Sequence, residues 1–210
     1  MKIYAHRVNT LEKLARVKTE FGIEIDVRGF GQKMFLNHDP LQDGVEYLEL
    51  ETLLQEYNRL GIQGGIIFNT KEAGYEAQIL ELAKKCGIKG DSFLLDVEFP
   101  YLYAATRRLG VRNIAVRYSE AEPIEAVEAQ MVDGQPLLDW VWIDTNTKLP
   151  LDAETVKRLQ LFKTCLVCPE RWGRPNDIQV YVEKMKSLGF APTAVMTSIE
   201  EAHQWEECGL

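Results

Sequence analysis

Eight short apolar runs alternate with helical patterns along the whole chain, and this alternation constrains the fold more than any other feature. The runs are predicted strands, at Lys2–His6, Ile23–Arg28, Gly65–Asn69, Ser92–Asp96, Asn113–Arg117, Trp140–Asp144, Thr164–Cys168 and Thr193–Met196. A helical pattern follows each run, at Thr10–Glu20, Leu48–Leu60, Glu72–Cys86, Tyr101–Leu109, Pro123–Gln130, Asp152–Phe162, Asn176–Leu188 and Ile199–Glu206. Strands that alternate with helices pair in parallel through right-handed crossovers. Eight such units predict an α/β fold, the (β/α)₈ TIM barrel.

Two details complete the predicted architecture. Residues Lys33–His38 lie between the second strand and the second helix, and they predict a small β-excursion there. No linker or low-complexity stretch interrupts the 210 residues, so we expect residues 1–210 to form a single domain. The alternative is an open doubly wound sheet, but the Gly-x-Gly-x-x-Gly of a dinucleotide site does not follow the first strand.

Composition and cysteine usage exclude several classes of protein. The net charge is -8, from 24 basic and 32 acidic residues, and no basic block suggests a nucleic-acid surface. We find no signal peptide and no apolar run long enough to cross a bilayer. With only four cysteines the chain is predicted to be cytoplasmic and reduced. Cys165-Leu-Val-Cys168 lies in an apolar run, which favours buried structural thiols over a metal or redox site.

Two histidines and two carboxylates indicate chemistry near the N-terminus. The chain has three histidines, and His6 and His38 each close a short apolar run. Glu24 and Asp26 are separated by one residue on the second predicted strand, so their side chains point to the same face. Imidazoles exchange protons near neutral pH, and paired carboxylates suit a hard divalent cation. These are the parts of a metal-assisted hydrolase.

The ends of the predicted strands carry most of the other reactive side chains. In a TIM barrel the active site lies at the carboxyl ends of the strands. Those positions hold His6, Arg7, Glu24, Asp26, Asn69, Lys71, Asp96, Glu98, Arg117, Asp144, Glu170 and Arg171. The opposite ends are mostly glycine and apolar residues, which is the polarity expected of a barrel enzyme.

Residues 3–40 resemble the glycerophosphodiester phosphodiesterase family, one of the phospholipase-C-like barrel phosphodiesterases. The resemblance rests on four elements in order: His6-Arg7, Asn9-Thr10, Glu24-Ile-Asp-Val27 and His38-Asp39-Pro40. The chain departs from the family in a shorter loop after His6-Arg7. It also departs at Ile67-Phe-Asn-Thr-Lys71, where Asn69 replaces the glutamate that is the family's third metal ligand. The resemblance therefore identifies a divergent member.

The resemblance implies a phosphoric diester hydrolase of lipid metabolism that acts on a small phosphodiester. His6 and His38 would be the acid–base pair, and Arg7 and Lys71 would neutralise phosphate charge. Glu24, Asp26 and Asn69 would bind a divalent cation, Mg²⁺, Ca²⁺ or Mn²⁺. The residues expected to line the substrate end of the pocket are Arg117, Asp144, Glu170 and Arg171.

Two other functions remain open at this point. The change at Asn69 and the short loop are compatible with a weak or inactive barrel that binds a phosphorylated small molecule. A lyase or aldolase that forms a Schiff base on Lys71 is the third possibility, but it leaves His6 and His38 without a role.

Overall fold

The computed structural model describes all 210 residues, in eleven strands and eight α-helices. The strands are β1 Lys2–Ala5, β2 Gly22–Phe30, β3 Lys33–Leu36, β4 Ile66–Thr70, β5 Phe93–Leu95, β6 Ala115–Tyr118, β7 Met131–Val132, β8 Gln135–Pro136, β9 Trp140–Ile143, β10 Lys163–Val167 and β11 Ala194–Thr197. The helices are α1 Leu11–Leu14, α2 Leu50–Arg59, α3 Glu76–Lys85, α4 Phe99–Arg108, α5 Ile124–Glu128, α6 Ala153–Leu159, α7 Asp177–Ser187 and α8 Ala202–Glu207. All eight predicted strands and all eight predicted helices are present.

The strand order identifies the fold as a (β/α)₈ barrel. Eight strands form one path in the order β5-β4-β2-β1-β11-β10-β9-β6. The first barrel strand is therefore a neighbour of both the second and the last, and the remaining strands follow in chain order, with β5 and β6 at the two ends of the path and not paired with each other. A barrel of consecutive parallel strands has this cyclic order. The fold prediction is confirmed, and the open doubly wound sheet is wrong.

Strand β3 belongs to the segment between β2 and α2. It pairs antiparallel with the end of β2, in the register Arg28↔Phe35 and Phe30↔Lys33. Strand β2 runs on to Phe30, so these two strands form a ribbon that continues past the two carboxylates of β2. The backbone N–H of Asn37, just after β3, donates to the carbonyl of Asp26 at 3.1 Å.

Two local features differ from the expectation from sequence. Helix α1 covers four residues instead of the predicted eleven, because the backbone bonds after Leu14 change to the i→i+3 type, as from Val17 N to Leu14 O.

Strands β7 and β8 form an unpredicted hairpin around Asp133 and Gly134, both with positive φ. Asp-Gly is a favoured pair for a two-residue hairpin turn, so the sequence did contain the signal.

Burial explains why these segments form their elements. Strand β2 is buried on both faces from Gly22 to Val27, as a central parallel strand should be. Helix α2 buries one face through Leu50, Leu53, Leu54 and Tyr57, at helical spacing. The interior also contains charged residues, and two of them, Glu24 and Asp26 on β2, begin the description of the site.

The chain divides into two compact units, Tyr4–Leu102 and Met1–Ile3 with Tyr103–Leu210. The first contains β2 to β5, and the second contains β6 to β11. That residues 1–210 act as a single domain stays a prediction. None of the helices combines the length and the apolar character needed to span a membrane.

Candidate active site

Strand β2 places Glu24 and Asp26 on one face at the interior of the first unit. Both residues are almost completely buried, at 1% and 0% exposure. On the neighbouring strand β4, Asn69 lies directly opposite Asp26 in the register of the pair. Burial of two carboxylates without solvent is costly unless each is paired, so their partners decide what the site can do.

Glu24 is held by one side-chain donor and one backbone donor. Asn69 Nδ2 donates to Glu24 Oε1 at 3.0 Å, and the backbone N–H of Arg7 donates to Oε2 at 2.7 Å. Arg7 has a φ of +51°, a backbone conformation that is uncommon for residues other than glycine. The strained backbone of Arg7 is the one that donates the N–H bond to Glu24. Burial first, and then the charge of Asp26, raise the pKa of Glu24 to about 7. Glu24 therefore exchanges a proton near neutral pH.

Asp26 faces cationic groups, and its pKa is lowered, whereas that of Glu24 is raised. Lys71 Nζ lies 2.9 Å from Asp26 Oδ1, and Arg7 Nε lies 3.9 Å from Oδ2. Burial raises the pKa of Asp26, but Lys71, a hydrogen bond from Asn9 and the charge of His38 outweigh it and lower the pKa below its usual value. The two carboxylates of β2 thus have opposite pKa shifts, which is typical of a coupled pair.

Asn9 is a site residue that the sequence analysis used only as part of a motif. Its Nδ2 donates to Asp26 Oδ2 at 2.8 Å, and its Oδ1 accepts from the backbone N–H of Asp26 at 2.9 Å. This two-point contact fixes the Asp26 carboxylate against its own backbone. Thr10 follows as the N-cap of α1 and accepts from Lys13 N at 3.1 Å, so the Asn9-Thr10 pair joins the helix to the site.

The side-chain oxygen of Asn69 has no hydrogen-bond partner. Its Oδ1 is buried and accepts no hydrogen bond, while its Nδ2 is engaged by Glu24. An unbonded buried amide oxygen beside two carboxylates is a donor set of the kind that Mg²⁺ and Ca²⁺ prefer. Nowhere in the protein do three or more histidine, cysteine, aspartate or glutamate side chains gather as a metal-binding group. We refer to Glu24, Asp26, Asn69, Lys71, Arg7 and Asn9 as the Asp26 cluster.

The two predicted catalytic histidines lie on segments that join this cluster. The His38 imidazole is 42% exposed, its Nδ1 lies 2.8 Å from Asp39 Oδ1, and its charge acts on Asp26. His6 follows β1 and is half-buried, and its carbonyl accepts from Lys13 Nζ at 2.6 Å. An exposed imidazole whose charge reaches a buried carboxylate is suited to proton transfer with a bound ligand.

A second strand-end group, the Asp144 cluster, lies in the unit Tyr103–Leu210. It consists of Asp144 with Arg117, Thr145 and Trp172. Arg117 Nη1 lies 2.8 Å from Asp144 Oδ2, and Oδ1 accepts from Thr145 N at 2.9 Å and from Trp172 Nε1 at 3.2 Å. Asp144 is 2% exposed, so this is a buried carboxylate with every oxygen paired.

The other two predicted substrate residues follow β10, and neither contacts Asp144 through a hydrogen bond or ion pair. Glu170 Oε1 accepts from Thr197 Oγ1 and from Ser198 N, and its Oε2 is buried without a partner. The Arg171 guanidinium lies 5.2 Å from the centre of the Trp172 ring. The sequence analysis overlooked Arg174, which donates to the carbonyls of Thr145 and Thr147.

The Cys-x-x-Cys segment is structural. Cys165 and Cys168 are both buried, at 0% and 1% exposure. Burial, and then the charge of Glu170, raise the pKa of Cys168 well above its usual value, which disfavours the reactive thiolate. The prediction of buried thiols is confirmed.

Fold and site together define the class: a (β/α)₈ barrel with a buried carboxylate pair on one of its strands. No family model and no curated protein matches the sequence. A solved structure from Agrobacterium tumefaciens, called "Putative glycerophosphoryl diester phosphodiesterase", aligns with 99% of this chain and 99% of its own, with a TM-score of 0.65 and 12% identity. A likeness at this identity shows the fold, and it agrees with the family resemblance at that level.

Proposed function

We propose that the protein is a metal-assisted phosphodiester hydrolase. The observation that carries the proposal is the Asp26 cluster. Two carboxylates with opposite pKa shifts lie on one face of β2, and Lys71 and Arg7 face Asp26. The barrel likeness to the Agrobacterium protein supports the same class.

His6 and His38 are the proposed acid–base pair. One imidazole removes the proton of the attacking hydroxyl, and the other donates a proton to the leaving oxygen as its bond to phosphorus breaks. Lys71 and Arg7 offset the negative charge of the phosphate, Lys71 as a point charge and Arg7 through its planar guanidinium. The exposed fraction of the Arg7 side chain, 38%, leaves that group able to meet a ligand.

Glu24, Asp26 and Asn69 are the residues that would hold the cation. The unbonded Oδ1 of Asn69 supports this assignment, as does the raised pKa of Glu24, which marks a buried carboxylate in need of a counter-charge. When bound, a hard cation supplies electrostatic stabilisation of the phosphate oxygens. Arg117, Asp144, Glu170 and Arg171 are proposed to contact the alcohol part of the diester.

One observation favours a second function, a barrel that binds a phosphorylated small molecule without turning it over. Each oxygen of Glu24 and Asp26 already has a donor or an ammonium within 3.0 Å, from Asn69, Arg7, Lys71 and Asn9. The two carboxylates are therefore paired without a cation, and a metal has to compete with Lys71 for Asp26.

Hydrolysis of bis(p-nitrophenyl) phosphate separates the two functions. We expect turnover with Mg²⁺, Mn²⁺ or Ca²⁺ and none after chelation. His6→Ala and His38→Ala should each lower turnover about 10²–10⁴-fold, the usual contribution of a proton transfer. His203→Ala is the matched control, because His203 is exposed on α8. Phosphate binding with no hydrolysis under any metal would favour the binding protein.

A further inference from the structure

Arg28 lies beside the site, on the same face of β2 as the two carboxylates. Side chains alternate along a strand, so Glu24, Asp26 and Arg28 point the same way. The Arg28 side chain is only 13% exposed. Its Nη1 donates to Glu72 Oε1 at 2.6 Å, and its Nη2 donates to the carbonyl of His38 at 2.5 Å. One guanidinium therefore joins the loop after β4 to the segment that carries a predicted catalytic histidine.

Glu72 anchors this guanidinium to the backbone of β2. Its Oε2 accepts from the backbone N–H of Gly29 at 3.0 Å, while Oε1 accepts from Arg28. Both carboxylate oxygens are thus used. The charge of Arg28 is balanced by Glu72 and not by the carboxylates of the Asp26 cluster, so the guanidinium is fixed before any ligand binds.

The His38 segment has few other contacts that fix it. Strand β3 ends at Leu36, and the next backbone bond is from Asn37 N to the carbonyl of Asp26. The His38 imidazole is 42% exposed and contacts Asp39, whose own side chain is 80% exposed. The bond from Asn37 Nδ2 to the carbonyl of Asp39, at 2.8 Å, stays within this segment, so the bond from Arg28 ties the His38 carbonyl to β2.

We propose that Arg28, held by Glu72, is a positioning residue that fixes His38 for proton transfer. This inference rests on the proposed function for its effect on rate, but its effect on His38 is independent of it. Arginine suits the role because its planar fork bonds two acceptors at once, whereas the ammonium of lysine is a flexible point charge. An imidazole displaced by about 1 Å from its productive position loses about 10²-fold in rate.

Two measurements on Arg28→Ala test the proposal. In backbone ¹⁵N relaxation, the order parameter of the His38 amide should fall from about 0.85, a rigid value, to below about 0.6. In the diesterase assay, kcat should fall about 10²-fold while KM changes less than about threefold, because a misplaced proton donor affects the transition state and not ground-state binding. Arg28→Lys should give intermediate values in both, and it serves as the second variant where Arg28→Ala does not fold.

Arg112→Ala is the matched control. Arg112 also joins a carboxylate to a backbone carbonyl, through Asp139 at 2.8 Å and Pro136 at 2.7 Å, but it lies before β6. It should leave the His38 order parameter and kcat at wild-type values. An unchanged His38 order parameter in folded Arg28→Ala or Arg28→Lys would overturn the positioning role. A wild-type protein that hydrolyses no diester would instead refute the proposed function, and the relaxation measurement would still decide the role of Arg28.

Discussion

The Asp26 and Asp144 clusters both pair a buried aspartate with a basic residue, but they differ in what remains unsatisfied. Asp144 has Arg117, Thr145 and Trp172 on its two oxygens. The Asp26 cluster has a second carboxylate, a raised pKa at Glu24 and an amide oxygen of Asn69 without a partner. In the Asp144 cluster both carboxylate oxygens have hydrogen-bond or ion-pair partners. The Asp26 cluster, by contrast, can take up a proton at Glu24 and offers the Oδ1 of Asn69 to a cation.

The comparison shows that a buried acidic residue is weak evidence of catalysis by itself. A single paired carboxylate is a stable structural unit when hydrogen bonds satisfy it. Two adjacent carboxylates cannot both ionise cheaply, so one of them keeps a proton that chemistry can use. This difference is the reason to seek the proposed reaction at the Asp26 cluster.

The largest expected effect is a difference in kinetic constants between substitutions in the two clusters. Asp26→Asn should lower kcat about 10²–10³-fold, because it removes the charge that faces Lys71 and the proposed cation. Asp144→Asn should act mainly on KM, because it removes the charge that faces Arg117. It should also cost about 1 kcal/mol of stability. Steady-state kinetics on bis(p-nitrophenyl) phosphate and urea unfolding provide the readouts. Equal losses of kcat in the two variants would contradict the division of roles.

A smaller effect concerns stability and pH in the metal-free protein. The pKa of Glu24 rises from 4.5 to about 7 on folding, so its contribution to stability is fully present below pH 4.5 and is lost as the pH rises through 7. Glu24→Gln removes this dependence, and Asn69 can turn its free Oδ1 toward the new amide. Relative to wild type, the variant should gain about 3 kcal/mol between pH 5 and pH 8.

Urea unfolding in the presence of a chelator measures this gain. Glu81→Gln is the matched control, because Glu81 is exposed on α3. Its stability relative to wild type should be the same at the two pH values. The lowered pKa of Asp26 acts in the opposite sense, since its stabilisation is lost only as the pH falls through that low value. A variant that tracks wild type at both pH values would mean that Glu24 is ionised normally.

The smallest expected effect tests the third proposed ligand. Asn69→Glu supplies a carboxylate and should tighten Mg²⁺ or Mn²⁺ binding about tenfold, while Asn69→Leu should weaken it about tenfold. Calorimetric titration of the three proteins gives the affinities directly. Equal affinities would show that Asn69 does not reach the ion and would direct the search to Asp96 or Glu98.

The fold was predictable because it depends on local patterns that repeat. Each apolar run became a strand and each amphipathic run a helix, and the helical spacing of Leu50, Leu53, Leu54 and Tyr57 identified the buried face of α2. The shortening of α1 was not predictable, since the helical pattern continues after Leu14 while the backbone bonds change. The spacing of Glu24 and Asp26 likewise predicted a shared face without showing what each carboxylate contacts.

The sequence by itself determined the strand–helix alternation, the pairing of Glu24 with Asp26 and the absence of a third carboxylate at Asn69. Only the tertiary structure decided that Asn9 clamps Asp26, that Lys71 faces Asp26 and not Glu24, and that Arg28 reaches the carbonyl of His38. The physical reason is that periodicity depends on neighbours along the chain, whereas hydrogen bonds and pKa shifts depend on groups that are 10 to 45 residues apart and meet only when the strands pair.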